Sequence, residues 1–299
     1  MKRISSPSTL LLVPALFLAN AAWAIPRPFL VVLDPGHGGN DTGATVHSGA
    51  TTLSEKQVTL ELAKQVGAEL MRRGVRVALT RNTDRDIPLS ERTAIANKLG
   101  ASVFISLHLN SSEAGPEGPA EGVETYILNN STDNSSKRLA DLENAVLQGS
   151  TANSLSPASA GAGDVALIVK DLMLDGNLGE SQRLACAVQN QIVNVTSTPS
   201  TRYRNRGVKQ ALFYVLLGAD MPSVLVEAGF LNNPRDRSIV TSAFAQRRIS
   251  QAITSAILEF KAGYGRVGNF TALGRCKVGE HPLSAQKTVR TAHKTRLIQ

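Results

Sequence analysis

The strongest constraint on this chain is how its apolar runs end. "FLVVLD", "SVFISLH" and "SVLVE" are short and continuous, and they stop at Asp34, His108 and Glu227. Runs of this kind fit strands buried on both faces rather than strands with one wet face. Segments of helical period lie between them. Leu53 to Arg73 carries Val58, Leu62, Val66 and Leu70, with Gly74 as its stop. "SERTAIANKLG" reads as a helix capped by Ser90 and closed by Gly100, and helical patterns return at 179–195 and 239–260. "VRVALTR" and "GVETYILN" are further strands. This alternation predicts an α/β fold: a single domain with a mostly parallel twisted sheet flanked by helices.

In an open α/β sheet, ligands bind at the carboxyl ends of the strands. The run "VVLDPGHGGNDTGA" delivers Asp34 and His37 to that rim, "SVFISLH" delivers His108, and "SVLVE" delivers Glu227. "LSEKQ" puts Glu55 in the first turn of the following helix, near the same edge. A single histidine after a strand is usually a structural hydrogen-bonder, but four such residues on one rim are hard to explain that way. Two histidines and a carboxylate form a catalytic zinc set with a fourth position for water, and a second glutamate beside the metal serves as general base. Gly36, Gly38 and Gly39 let the chain reverse sharply and hold the imidazole at the sheet edge. Asp34 is expected to orient a histidine rather than to bind metal. His47 is an alternative ligand, whereas His281 and His293 fall far along the chain in a basic tail. The glycines match neither G-x-G-x-x-G nor the P-loop, and there is no G-x-S-x-G elbow.

Lys2, Arg3, the apolar stretch "TLLLVPALFLANAAWA" and the A-x-A site at Ala22–Ala24 read as a secretory signal peptide over 1–24. The alternative, a membrane anchor, asks for a longer apolar run. The expectation is an exported protein with no transmembrane segment in its mature chain, in a periplasm by preference or else in the extracellular wall. The net charge of +8 is concentrated in residues 263–299, a basic tail expected to be flexible and suited to an anionic surface. Export argues against nucleic acid as a partner. Cys186 and Cys276 are able to pair in an oxidising compartment. Residues 130–178 form a Ser-, Ala-, Asn- and Gly-rich insertion, far longer than a usual connection of roughly 2–6 residues. It holds two helical candidates, "SSKRLADLENAVLQ" and "DVALIVKDLML".

"LDPGHGGNDTGA", "LSEKQVTLELA", "SLHLN", "RGVKQALFYVL" and "PSVLVEAGFLNN" resemble, in order, the signature segments of the zinc-dependent N-acetylmuramoyl-L-alanine amidases of bacterial cell walls. The resemblance runs from about Phe29 to Phe260, within a catalytic domain set at 25–262. It implies one zinc ion per chain on His37, Glu55 and His108, with Glu227 as the catalytic glutamate and peptidoglycan as substrate. It further implies a role in wall remodelling or daughter-cell separation. In some cell-separating relatives a segment placed like 130–178 covers the site until an activator protein binds. Glu143 is the expected plug here, chosen over the aspartates of the insertion for its reach. The rival readings are a zinc peptidase cutting within the stem peptide and a non-catalytic wall-binding module.

Overall fold

The continuous apolar runs become the middle of the sheet. Strands β1 (Leu30–Pro35), β5 (Val103–Asn110) and β8 (Ser223–Phe230) are buried at every position. The computed structural model describes residues 28–48, 51–113, 118–131, 133–145, 163–195 and 203–264, with Cys276 and Val278; the side chains of 48, 51 and 163–176 are not among them. The 1–24 leader, His281 and His293 lie outside the described residues. With β4 (Arg76–Leu79), β6 (Val123–Leu128) and β7 (Asn205–Ala211), the sheet has the order β4-β1-β5-β8-β6-β7. All neighbours are parallel except β6 and β8. Helices α1 (Glu55–Arg72) and α2 (Leu89–Leu99) lie in the crossovers between β1, β4 and β5. The described part of the connection from β5 to β6 holds no helix, and β6 runs opposite to β5.

Alternation along each strand fills both faces. Val31, Leu33, Ile105 and Val226 pack with α1, α4 (Gly163–Val195) and α6 (Ala243–Gly263). Val32, Phe104 and Leu225 pack on the other side with Tyr126, Phe213 and with Leu139 and Ala140 of α3 (Asn134–Asn144). Among the described residues, no helix is long and apolar enough to cross a membrane.

Five features of the fold depart from the sequence expectations. Leu53 belongs to a small hairpin, β2 (Thr45–Ser48) with β3 (Thr51–Ser54), so α1 begins at Glu55. Pro88, not Ser90, precedes α2, while Gly100 closes it in the left-handed conformation at φ 62°. The second helical candidate of the insertion continues without a break into the 179–195 helix as the 33-residue α4. The last helix is two: α5 (Pro234–Val240), then α6, whose cap Ser242 accepts from the Ala245 N–H. A fifth change concerns the tail. Cys276 is disulfide-bonded to Cys186 of α4, and Val278 forms a parallel bridge to Val208 of β7. At these two positions the chain is fixed to the domain rather than free.

Candidate metal centre and active site

The turn after β1 is held by two buried arginines. Arg81 donates from Nε to the Pro35 carbonyl (3.0 Å) and from Nη2 to Gly36 (2.7 Å). Arg92 donates to the carbonyls of Pro35 (2.8 Å) and His37 (3.0 Å). His37 itself has φ 60°, a left-handed backbone that costs a non-glycine residue on the order of 1 kcal/mol. The arginine clamp holds it there.

Asp34 does not orient a histidine. Its carboxylate accepts from Thr80 (2.5 Å), Arg92 (3.0 Å) and Ser106 (2.7 Å). Asp34 is two residues from Val32 and shares that residue's face of β1, so it acts through Arg92 on the turn's backbone. The histidine partner is Asp41, whose Oδ2 is 2.8 Å from His37 Nδ1. That pairing fixes Nδ1 as the protonated nitrogen and turns the Nε2 lone pair inward.

Three elements converge on this nitrogen. Glu55, at the start of α1, accepts the Leu109 N–H on Oε1 (2.8 Å) and the Ala44 N–H on Oε2 (2.9 Å). Its Oε1 lies 3.1 Å from both His37 Nε2 and His108 Nδ1. Glu143 of α3 enters from the other side, with Oε2 3.3 Å and 3.1 Å from the same two atoms. One ligand atom from each of these four residues lies within 4.8 Å of the others. Both inward imidazole nitrogens are buried without a hydrogen-bond partner. Two orphaned nitrogens facing two carboxylates form a donor set that fits a divalent cation such as zinc. Space around it is reserved: a Cβ on Gly36 would lie 2.6 Å from the His108 ring, and one on Gly43 (φ 61°) 2.5 Å from His37.

The electrostatics agree. Burial opposes protonation of both imidazoles, yet the surrounding carboxylates outweigh it, raising His37 well above its ordinary value and His108 to about 10. The cluster therefore draws positive charge. Glu227 stands beside it, paired in register with His108 on β5 and with Glu124 on β6. It is fully buried and neither oxygen has a hydrogen-bond partner. Burial raises its pKa well above the carboxylate range; His108 opposes this, and Glu143, Glu55 and Glu124 add to it. His47 is exposed and bound to Thr52 (3.0 Å), away from the cluster. Asp41, four residues after His37, was visible in "HGGND" but hidden among turn residues. Glu124, Arg206 and Lys209 gave no comparable signal.

The fold and site define an α/β protein with a mostly parallel sheet and, at its rim, a buried His/Glu cluster able to hold a metal beside Glu227. Residues 31–259 match the N-acetylmuramoyl-L-alanine amidase family, and the chain belongs to it. It is 33% identical over 235 residues to N-acetylmuramoyl-L-alanine amidase AmiA of Escherichia coli K12, covering 77% of this chain and 75% of that protein. Identity to AmiC of Neisseria meningitidis serogroup B is 33% over 236 residues, 78% of this chain and 53% of that one. Among solved structures, the amidase AmiC2 of Nostoc punctiforme superposes with a TM-score of 0.55 at 30% identity, covering 78% of this chain and 97% of that one. The amidase of Clostridium difficile 630 gives 0.57 at 27%, covering 80% and 99%. The chain is thus an amide hydrolase acting on peptidoglycan.

Proposed function

We propose that this amidase is exported, zinc-dependent and restrained by its own helix α3, and that it works in wall remodelling or daughter-cell separation. The observation that carries the reading is the convergence on Glu55 of two buried imidazole nitrogens that make no hydrogen bond, with Glu227, also without one, alongside. His37, Glu55 and His108 would hold one zinc ion. When bound, zinc acts as a Lewis acid that makes water a usable nucleophile near neutral pH and polarises the carbonyl.

The chain's own groups do the rest. Asp41 keeps His37 in the tautomer that presents Nε2. Glu227 takes the proton of the attacking water on a carboxylate oxygen. It then passes that proton to the departing nitrogen of L-alanine, which leaves poorly as an anion. The bond cleaved joins the lactyl group of N-acetylmuramic acid to the stem peptide.

On this reading α3, packed as it is against the site, blocks this chemistry. Glu143 fills the open side of the cluster. The next residue, Asn144, donates from Nδ2 to the Leu212 carbonyl (2.7 Å) and accepts the Tyr214 N–H on Oδ1 (2.8 Å). Leu139 and Ala140 seat the helix among Tyr126, Phe213 and Val215. A partner protein that lifts α3 would open the site and withdraw one of the negative charges that raise the Glu227 pKa. The leader and the disulfide support export, to a periplasm by preference.

Digestion of purified muropeptides by the zinc-loaded chain, read by mass spectrometry, tests the reading. Intact stem peptides with a free L-alanine amine, and uncut sugar, are expected. Fragments cut within the stem would favour a peptidase.

A further inference from the structure

Next to Glu227 lies a buried charged cluster that the proton-transfer scheme leaves unused. Glu124 is paired in register with Glu227, one strand further across the sheet. One of its oxygens takes both Lys209 Nζ (2.7 Å) and Arg206 Nε; the other takes Asn110 Nδ2 (3.0 Å) and the Tyr126 hydroxyl (2.7 Å). Glu124, Lys209, Asn110 and Tyr126 are all buried, while the Arg206 side chain stays 17% exposed. Burial would raise the Glu124 carboxyl, but Lys209 and Arg206 outweigh it and hold it below its ordinary value. One carboxylate thus faces two cations, which leaves one positive charge in surplus at the edge of the active site.

A surplus buried cation asks for an anion. Asp133, the N-cap of α3, does not pair with either cation: its carboxylate accepts from the Ser135 and Ser136 hydroxyls and the Ser136 N–H of its own helix.

We infer that Arg206 and Lys209, anchored by Glu124, form a subsite for a free carboxylate of the substrate's stem peptide. The inference rests on the amidase reading of Glu227 and the His/Glu cluster. Strands lie about 4.8 Å apart, so the Glu124 cluster is roughly 10 Å from His108. An extended peptide covers that in about three residues. The anchored carboxylate is therefore two or three residues beyond the cleaved amide. Arg206 is the specificity residue. Glu124 is a positioning residue that acts through the two cations.

The test compares a soluble muropeptide bearing free stem carboxylates with the same compound converted to carboxamides, using the zinc-loaded full chain. With the unaltered protein, amidation should lower kcat/KM by roughly ten- to hundred-fold, mostly through KM, the size expected for losing a charge-assisted hydrogen bond. With Arg206→Gln, the penalty for amidation should shrink to about two-fold or less, while Arg206→Lys restores part of it. The comparison on the unaltered chain does not depend on any variant folding. Equal rates of the unaltered chain on both substrates would overturn the subsite. So would an Arg206→Gln variant with a native melting curve that keeps the full penalty. If neither the unaltered chain nor one with 133–162 replaced by a Gly/Ser linker cleaved either compound between sugar and peptide, the reading of Glu227 and the His/Glu cluster would fall, and the subsite with it.

Discussion

At the residue scale the proposed mechanism separates metal-holding groups from the group that moves protons. His37→Ala or His108→Ala should remove most bound zinc, measured by elemental analysis, because each supplies one of three protein ligands. Glu227→Gln keeps its shape but cannot accept a proton; metal content should hold while turnover falls a hundred-fold or more. A Glu227→Gln protein that hydrolyses muropeptides near the parent rate would show that the proton goes elsewhere. Asp41→Asn should leave the fold intact and weaken zinc affinity about ten- to hundred-fold, through the tautomer of His37; unchanged affinity in a chelator competition would refute that role. His37, His108 and Glu227 could be read in the sequence as rim residues because each ends or follows an apolar run, and Glu55 because it opens the helix that starts at the same edge. Asp34 satisfied the same criterion and was misread. Position in a run does not say which face of the strand a side chain takes, and Asp34 shares the Val32 face, where Thr80, Ser106 and Arg92 meet it.

At the element scale, the buried elements were legible and the polar ones were not. β1, β5 and β8 follow from composition alone, since only a strand covered on both faces tolerates so continuous an apolar run. β2, β3 and β7 were missed. "NRGVKQA" buries only part of its length, and β7 has a described sheet neighbour on one side, apart from the isolated bridge at Val278. The separate nature of the second insertion helix was also misjudged. Gly176 and Gly179 stand at the junction and read as a stop, but α4 runs through both, since a glycine inside a helix costs only about 1 kcal/mol. α3 is the element with a predicted function of its own. Its hold on the site is short: one carboxylate, one clasping amide and a few apolar contacts. Asn144→Ala removes two hydrogen bonds worth about 1 kcal/mol each, which should raise the open population, and basal turnover, roughly ten-fold or more. Glu143→Gln should raise it as well, by removing the charge that faces His37 and His108. Replacing 133–162 with a Gly/Ser linker leaves α4 intact and should give the largest gain. If all three fold, bind zinc and turn over no faster than the parent, α3 is not inhibitory.

At the scale of the whole molecule the question is what the C-terminal segment contributes. Its basic sequence suggested an appendage, with the chemistry complete by Gly263. The disulfide changes that. Cys186 and Cys276 are separated by 90 residues, and a cross-link closing a loop of that size stabilises a domain by about 4–5 kcal/mol in the chain-entropy view. The loop encloses β7, β8, α5 and α6, and thus Glu227. Val278 also meets Val208 on β7, the strand that carries Lys209. A chain ending at Gly263 keeps every ligand, so it should still cleave soluble muropeptides at 25 °C. Its melting midpoint should fall by about 10 °C, given roughly 2–4 °C per kcal/mol for a domain of this size. Cys276→Ser alone should reproduce most of that loss, and reduction of the full chain should do the same. Binding to anionic sacculi is a separate property of the segment's charge. It should weaken in the truncated chain but not in Cys276→Ser, and should decline with added salt in the full chain. Equal melting midpoints for oxidised and reduced protein would mean that the cross-link stabilises nothing. A Cys276→Ser chain that melted like the parent while the truncated chain did not would assign the stability to the segment's packing instead.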